Sequence, residues 1–277
     1  MSNFYKRSIT GVVFVAVLGG AILFHPATLF LLFAVIIGLG VWEFYRLIDA
    51  TELKPNKIAG LTAGLAFFGI TCLYATGTVP IEFYWLVIPF LSAVFIAELY
   101  RKLATPFQNI AITLFGVGYV AVPLSLLVLL GFPNLSISGY QQTMIIGYFF
   151  LLWSSDTGAY ITGVSIGRHP MFARVSPKKS WEGFAGGFIL TLSVAYIISH
   201  YFTAISTIDW MVIAVIICIF GVWGDLIESL LKRSLQIKDS GNILPGHGGI
   251  LDRFDSVLFS APIVFLYLQL KNYLMLL

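Results

Sequence analysis

Nine apolar stretches, separated by short polar or turn-forming segments, organise the chain. A helix needs roughly 17 to 25 mostly apolar residues to cross a bilayer, because its backbone polar groups must be satisfied within the segment. The stretches cover residues 9–24, 27–48, 58–76, 80–99, 107–130, 139–163, 182–203, 209–232 and 253–275. The pattern predicts an all-α, polytopic integral membrane protein with about nine transmembrane helices.

The first two stretches also allow a second arrangement. They are short and meet at His25 and Pro26, so they fit a helical hairpin that does not fully cross the membrane. Such a hairpin would reverse the orientation of every later helix. Lys6 and Arg7 precede the first stretch as in a secretory signal, but no convincing small-residue cleavage site follows, so we interpret the stretch as a retained helix.

The composition agrees with a membrane-embedded chain. Hydrophobic residues make up 58% of the sequence and charged residues 10%, which is far from the balance of a soluble domain. No segment is long and polar enough to fold outside the bilayer, so we expect residues 1–277 to form one domain. Cys72 and Cys218 lie in apolar stretches without the spacing of a disulfide framework or a zinc site.

Basic residues lie almost entirely at one side of the predicted helices. With the amino terminus inside, all of the 16 Lys and Arg residues except Lys271 fall on the cytoplasmic side. The net charge of +3 follows from this bias, and the sequence shows no basic stripe or zinc spacing typical of nucleic-acid binding. We therefore expect a multi-pass protein of the cell inner (plasma) membrane, in contact with membrane lipids, with its functional loops facing the cytoplasm.

Acidic residues lie within or beside the later apolar stretches. A charged carboxylate at the bilayer centre costs on the order of 2.5–3.5 kcal/mol, so we expect these residues to have a functional or structural role. The i, i+3, i+4 and i+7 spacing predicts a shared helix face, directed into a polar cavity, for a set of four residues: Asp225, Glu228, Ser229 and Lys232. The alternative interpretation is a set of structural ion pairs, such as Asp225 with Lys232 and Asp255 with Arg253.

The segment of residues 238–249 lies between the last two predicted helices and contains four glycines. Glycines let backbone N–H groups approach a phosphate closely, and nearby carboxylates offer the hard oxygen ligands that suit Mg²⁺. The segment is not a Walker loop, because the motif G-x-x-x-x-G-K-[ST] is absent. His247 fits a general base, a ligand, or a donor that stabilises a turn or contacts a substrate.

The carboxy-terminal part of the chain carries a recognisable set of motifs. Its fixed positions are Ser229, Leu231, Lys232, Arg233, Lys238, Asp239, Gly241, Leu244, Pro245, His247, Gly248, Gly249, Ile250, Asp252, Arg253, Phe254 and Asp255. This set resembles the signature of the phosphatidate cytidylyltransferase family, also called CDP-diacylglycerol synthases. Residues 155–160 and 176–183 resemble further motifs of that family, so the expected active-site motifs concentrate in residues 153–255. The resemblance implies that CTP and phosphatidate react to give CDP-diacylglycerol and pyrophosphate.

The resemblance also implies roles for individual residues. Asp225 and Asp252 are the expected ligands of Mg²⁺, beside which a second monovalent or divalent cation is allowed, and with Lys238 and Arg253 they are the expected catalytic residues. The expected substrate-binding residues are Asp156, Lys178, Lys179, Ser229, Lys232, Arg233, Asp239, His247, Gly248, Gly249 and Asp255. No covalent nucleophile is needed, because phosphatidate can attack the α-phosphorus of CTP directly. The family resemblance further implies a homodimer.

Two other functions stay open on the sequence alone. A CTP-dependent lipid kinase, similar to dolichol kinase, also needs a cytosolic triphosphate site. An ion-coupled secondary transporter also explains carboxylates in a membrane, but it predicts acids spread over two related halves, whereas most of the acids considered above crowd into the carboxy-terminal part. A CDP-alcohol phosphotransferase is disfavoured, because its run D-G-x2-A-R-x8-G-x3-D-x3-D is missing.

Overall fold

The structure, a computed structural model, describes residues 3–237, 239–241 and 248–275, and these are mostly helical. The α-helices are α1 (Asn3–Phe24), α2 (Pro26–Ile48), α3 (Lys57–Ala75), α4 (Val87–Arg101), α5 (Pro106–Gly116), α6 (Val122–Leu129), α7 (Gln142–Ile166), α8 (Trp181–Ser199), α9 (Thr207–Ser234) and α10 (Leu251–Met275). A 3₁₀ helix (Ile81–Leu86) runs into α4, and a π-helical turn (Val117–Ala121) joins α5 to α6. A short 3₁₀ turn (Ile137–Gly139) precedes α7.

The helices coincide with the predicted apolar stretches. In the part of the chain that the structure describes, seven helical segments are long and apolar enough to cross a membrane. They are Pro26–Ile48, Lys57–Ala75, Ile81–Arg101, Pro106–Leu129, Trp181–Ser199, Thr207–Ser234 and Leu251–Leu274. Helix α7 is not among the seven, and Ile9–Phe24 forms a shorter apolar helix. The prediction of a helical, polytopic membrane protein is therefore confirmed, whereas the count of nine transmembrane helices is not.

A small β-hairpin between α7 and α8 was not predicted. Strand β1 (Pro170–Phe172) pairs antiparallel with strand β2 (Ser176–Ser180). The segment lacks the alternation of apolar and polar residues that indicates a strand from sequence. The hairpin is tied to the start of α8, because Glu182 accepts hydrogen bonds from the backbone N–H groups of Arg168 (3.1 Å) and His169 (3.2 Å).

The chain divides into two compact units. The first contains residues 1–140 and 235–254, and the second contains residues 141–234 and 255–277. The prediction that the whole chain is one membrane-embedded domain is not tested by this division and stays a prediction.

The first unit has an aromatic core around Tyr45 on α2. Tyr45 is fully buried, and its hydroxyl donates to the backbone carbonyl of Thr113 at 2.6 Å. Gly60 on α3 and Gly116 on α5 lie against its ring so closely that a Cβ atom at either position would clash. These glycines therefore allow helices α2, α3 and α5 to pack around one large side chain.

The second unit is held together by close contact between α7 and α8. A Cβ atom added at Gly158 would lie 2.9 Å from the backbone oxygen of Gly186, and one added at Gly187 would lie 2.7 Å from that of Ser155. Membrane helices can approach each other this closely only where small residues face each other. The contact brings the middle of α7, which carries Asp156, against the first half of α8.

Candidate functional site

The second unit contains a cavity of about 320 Å³ that is lined by α7, β2, α8 and α9. Its charged lining residues are Asp156, Lys178, Lys179 and Asp225. An adjoining cavity of about 420 Å³ is also lined by Lys178 and adds Arg168. Four of the predicted site residues thus lie around one cavity, where both acidic and basic side chains are available to a ligand.

Asp225 on α9 is the acidic residue of this cavity with the most clearly defined partners. One of its carboxylate oxygens lies 2.5 Å from the ammonium nitrogen of Lys179, and the other accepts a hydrogen bond from the Ser229 hydroxyl at 3.2 Å. The side chains of Asp225 and Lys179 are 33% and 26% exposed, so the pair lies within reach of a ligand. Of the four residues predicted to share a face, Asp225 lines this cavity, and the prediction of a common polar face stays a prediction.

Glu228 and Lys232, which belong to the same predicted polar face of α9, form a separate ion pair. Lys232 lies 3.2 Å from Glu228, one helical turn away, and the Glu228 side chain is fully buried. The alternative interpretation from the sequence paired Lys232 with Asp225 instead. Neighbouring acids on this face therefore have different basic partners: Glu228 has one from its own helix, and Asp225 has one from the β-hairpin.

Asp255 on α10 is a further acidic residue of the second unit. Helix α9 approaches α10 closely at Gly224, where a Cβ atom would clash with the backbone oxygen of Asp255. The Asp255 carboxylate lies within electrostatic range of the carboxylates of Asp225, Glu228 and Asp156.

The donor set of the cavity fits a magnesium ion that is held jointly with a substrate. Mg²⁺ is usually bound by one or two carboxylates together with phosphate oxygens and water, and Asp156 and Asp225 offer such carboxylates. Among the described residues, no group of three or more His, Cys, Asp or Glu side chains is arranged to hold a metal ion by itself.

Asp252, the second predicted metal ligand, belongs to the first unit. Its Oδ2 atom accepts hydrogen bonds from the backbone N–H groups of Ser240 (2.9 Å) and Gly249 (2.8 Å) and lies 2.9 Å from the Ser240 hydroxyl. Gly248 has a φ angle of +81°, and a Cβ atom there would clash with the Asp252 carboxylate. The carboxylate therefore holds together the two ends of the glycine-containing segment.

Glu43 on α2 contacts the same segment but was not singled out from the sequence. Its side chain is buried, and its carboxylate accepts hydrogen bonds from the backbone N–H groups of Ile250 (2.9 Å) and Leu251 (3.2 Å). The Ser240 hydroxyl also donates to it. The available signal was an acidic residue inside the second apolar stretch, which is costly without a partner.

The remaining predicted residues that the structure describes do not line these two cavities. Arg233, Asp239 and Arg253 are exposed. Lys238 and His247 lie outside the described residues. The substrate-binding and catalytic roles of all these residues, and of Gly248 and Gly249, stay predictions.

Together these features define a helical membrane protein with a cavity lined by carboxylates and lysines. The chain matches the model of the cytidylyltransferase family over residues 5–271. The protein therefore belongs to the cytidylyltransferase family, which confirms the resemblance of its signature.

Named relatives resemble part of the chain. It is 46% identical over 132 residues to the phosphatidate cytidylyltransferase of Bacillus subtilis (strain 168), a match that covers 47% of this chain and 49% of the relative. It is 42% identical over 161 residues to the phosphatidate cytidylyltransferase of Staphylococcus haemolyticus (strain JCSC1435), which covers 57% of this chain and 58% of the relative. The chain thus spans about half the length of the curated relatives it matches.

Proposed function

We propose that the protein transfers the cytidylyl group of CTP to phosphatidate, giving CDP-diacylglycerol and pyrophosphate in phospholipid biosynthesis. The observation that carries the proposal is the cavity of the second unit, where Asp156, Asp225, Lys178 and Lys179 meet. Membership of the cytidylyltransferase family and the names of the relatives support the same reaction.

The reaction joins two anions, which determines what the protein must supply. A phosphate oxygen of phosphatidate forms a bond to the α-phosphorus of CTP. The bond from that phosphorus to the oxygen that bridges it to the β-phosphorus breaks, and pyrophosphate leaves with the electron pair. Lysine side chains at the site offset the repulsion between the substrates and stabilise the charge on the departing pyrophosphate. Lys179, which Asp225 orients, and Lys178 are the proposed phosphate contacts in the cavity.

Further residues are assigned by the signature. Asp225 and Asp252 are the proposed ligands of Mg²⁺, with a second cation allowed. The ion, when bound, neutralises phosphate oxygens during the transfer. Asp156 and Asp255 are supporting carboxylates, and Ser229 orients Asp225 through its hydrogen bond. The proposed phosphate and substrate contacts outside the cavity are Lys232, Arg233, Lys238, Asp239, His247, Gly248, Gly249 and Arg253.

The reaction can be tested directly with purified protein in detergent. Phosphatidate, Mg²⁺ and each of the four labelled ribonucleoside triphosphates are combined, and the lipids are separated by thin-layer chromatography. We expect a nucleotide-containing lipid with CTP, together with release of pyrophosphate. Formation of a phosphorylated lipid and CDP would identify a lipid kinase instead, and the absence of any lipid product would leave the transporter as the better interpretation.

We also propose that the protein lies in the inner (plasma) membrane as a homodimer, with its active site facing the cytoplasm. The distribution of Lys and Arg supports this orientation. Single cysteines at Lys102 and Ser176, in a background without Cys72 and Cys218, should be shielded from an impermeant thiol reagent in intact cells. A cysteine at Asn134 should react, and the reverse pattern would overturn the orientation. The mass of the detergent-solubilised protein, measured by light scattering, tests the dimer.

A further inference from the structure

We propose that Glu43 is a positioning residue, whose buried carboxylate fixes Ser240 and the start of α10, which carries Asp252. The catalytic consequence of this role rests on the proposed function. The structural part rests only on contacts within the first unit.

The first line of support is the convergence of three donors on one carboxylate. Ile250 N donates to Glu43 Oε2 at 2.9 Å, Leu251 N donates to Oε1 at 3.2 Å, and the Ser240 hydroxyl donates to Oε1. Ser240 lies near the start of the glycine-containing segment, residues 238–249, and Ile250 follows its last residue. One side chain of α2, 3% exposed, therefore binds the chain near both ends of that segment.

The second line of support comes from the start of α10 at Leu251. The first N–H groups of a helix have no acceptor within the helix, and the side chain of the residue before the helix normally supplies one. Here that residue is Ile250, whose side chain has no hydrogen-bond acceptor. Glu43 supplies an acceptor for the N–H of Leu251, the first residue of α10, from a position 208 residues away in sequence, and its negative charge suits the positive end of the helix dipole.

The third line of support comes from two glycines. A Cβ atom at Gly249 would clash with the Glu43 carboxylate, and one at Gly241 would lie 3.0 Å from its Oε2 atom. A side chain at Gly249 would have to displace the carboxylate from its three donors. These two glycines of the signature thus provide the space that Glu43 occupies.

The contacts reach the predicted metal ligand through Ser240. The Ser240 hydroxyl bonds to Glu43, and its backbone N–H donates to Asp252 at 2.9 Å. Loss of the Glu43 carboxylate would therefore release Ser240 and the first turn of α10, and with them the geometry of Asp252. Because a misplacement of about 1 Å in a reacting group can cost on the order of 10²-fold in rate, the effect should fall on kcat.

Glu98 provides a matched control in the same unit. It has the same exposure as Glu43, 3%, and its carboxylate binds Arg101 (2.7 Å) and the Asn109 side chain (2.9 Å). Its partners therefore lie on α4 and α5. Glu98→Gln removes a buried charge as Glu43→Gln does, and both keep the shape of the side chain.

The test compares wild type, Glu43→Gln and Glu98→Gln as full-length proteins in detergent. Hydrogen exchange of peptides that contain the Ile250 and Leu251 amides reports the contact itself. Kinetics with CTP varied at saturating phosphatidate, per folded molecule, report its consequence. We expect Glu43→Gln to speed exchange at these amides and to lower kcat roughly 10- to 100-fold, with KM for CTP changed less than about threefold. Glu98→Gln should change neither.

Several results would overturn the proposal. Unchanged exchange at Ile250 and Leu251 in Glu43→Gln would show that the proposed contact does not protect these amides. Faster exchange with an unchanged kcat would contradict the positioning role. An equal loss of kcat in Glu98→Gln would contradict it as well.

A second variant covers the case in which Glu43→Gln does not fold. Ser240→Ala keeps the Glu43 carboxylate and removes the hydroxyl that contacts both Glu43 and Asp252, so it should lower kcat with little change in KM, and a wild-type kcat would contradict the role. If wild type itself makes no nucleotide lipid, the proposed function fails, while the exchange measurement still decides the contact.

Discussion

Asp225 of the second unit has a different kind of partner from Glu43 and Asp252 of the first unit. In the second unit Asp225 pairs with the ammonium group of Lys179, and both side chains line a cavity. In the first unit Glu43 and Asp252 accept hydrogen bonds from backbone N–H groups and from Ser240. A side-chain cation can exchange its partner for a phosphate, whereas a backbone amide is fixed by the fold. The Lys179 partner of Asp225 is therefore open to exchange with a ligand, whereas the contacts of Glu43 and Asp252 hold the backbone around them.

The largest effect on activity is expected for Asp225→Asn. It removes the negative charge that orients Lys179 and that we propose binds the metal, so turnover should fall by ~10²-fold or more while the protein stays folded. Asp209→Asn on the same helix is the control. Asp209 is buried and binds Ser206, Tyr267 and Lys271, so its loss should lower thermal stability but preserve turnover per folded molecule. Near-native turnover of Asp225→Asn at saturating Mg²⁺ would contradict the assignment.

A smaller loss of activity is expected for Lys179→Met. The variant keeps the length of the side chain but removes one phosphate contact, and we expect kcat/KM for CTP to fall roughly 10- to 100-fold. Lys57→Met is the matched control, because Lys57 also pairs with an aspartate, Asp49, but in the first unit. It should stay within about twofold of wild type, as expected for a solvent-accessible ion pair. Equal losses in both variants would mean that the cavity has no special role.

For stability we expect the opposite order, with a larger loss for a change at Asp252 than for a change at Asp225. Asp252→Ala leaves the Ser240 and Gly249 amides without their acceptor, which should cost about 1–3 kcal/mol of the free energy of unfolding. Asp225→Ala breaks a partly exposed ion pair and should cost less than about 1 kcal/mol. Thermal denaturation in detergent, followed by circular dichroism, measures both. A larger loss in Asp225→Ala would reverse the comparison.

A further effect on stability is expected at the contact between α7 and α8. A Cβ atom at Gly187 would lie 2.7 Å from a backbone oxygen of α7, so Gly187→Ala should push the helices apart and cost about 1–3 kcal/mol. Gly69→Ala, where nothing lies within 4 Å of the added atom, should cost no more than about 0.5 kcal/mol. The same denaturation experiment compares the two variants, and equal effects would show that the close contact between α7 and α8 does not determine the loss of stability.

The helices could be predicted because they depend on local composition. For example, the apolar stretch of residues 209–232 became α9, Thr207–Ser234. The spacing along this helix also placed Asp225 on a polar face. The β-hairpin could not be predicted, because Ser176–Ser180 shows no alternating pattern and its order depends on pairing with β1 and on the anchor at Glu182.

The sequence could not predict which groups the acidic side chains bind. Lys179 and Asp225 lie on different elements that only the tertiary fold brings together. Glu43 and Ser240 are 197 residues apart, so no local motif connects them. The sequence therefore indicated which residue types are present for chemistry, and the fold decided which of them line a cavity and which hold a loop.

The most direct test of the central claim follows the phosphorus atoms of CTP. Purified wild-type protein is incubated with phosphatidate, Mg²⁺ and CTP labelled either at the α-phosphorus or at the γ-phosphorus, and the labelled products are separated. We predict that the α label enters the lipid and the γ label appears in pyrophosphate, with both transfers lost in Asp225→Asn. Entry of the γ label into the lipid, or of neither label, would contradict the proposed cytidylyl transfer.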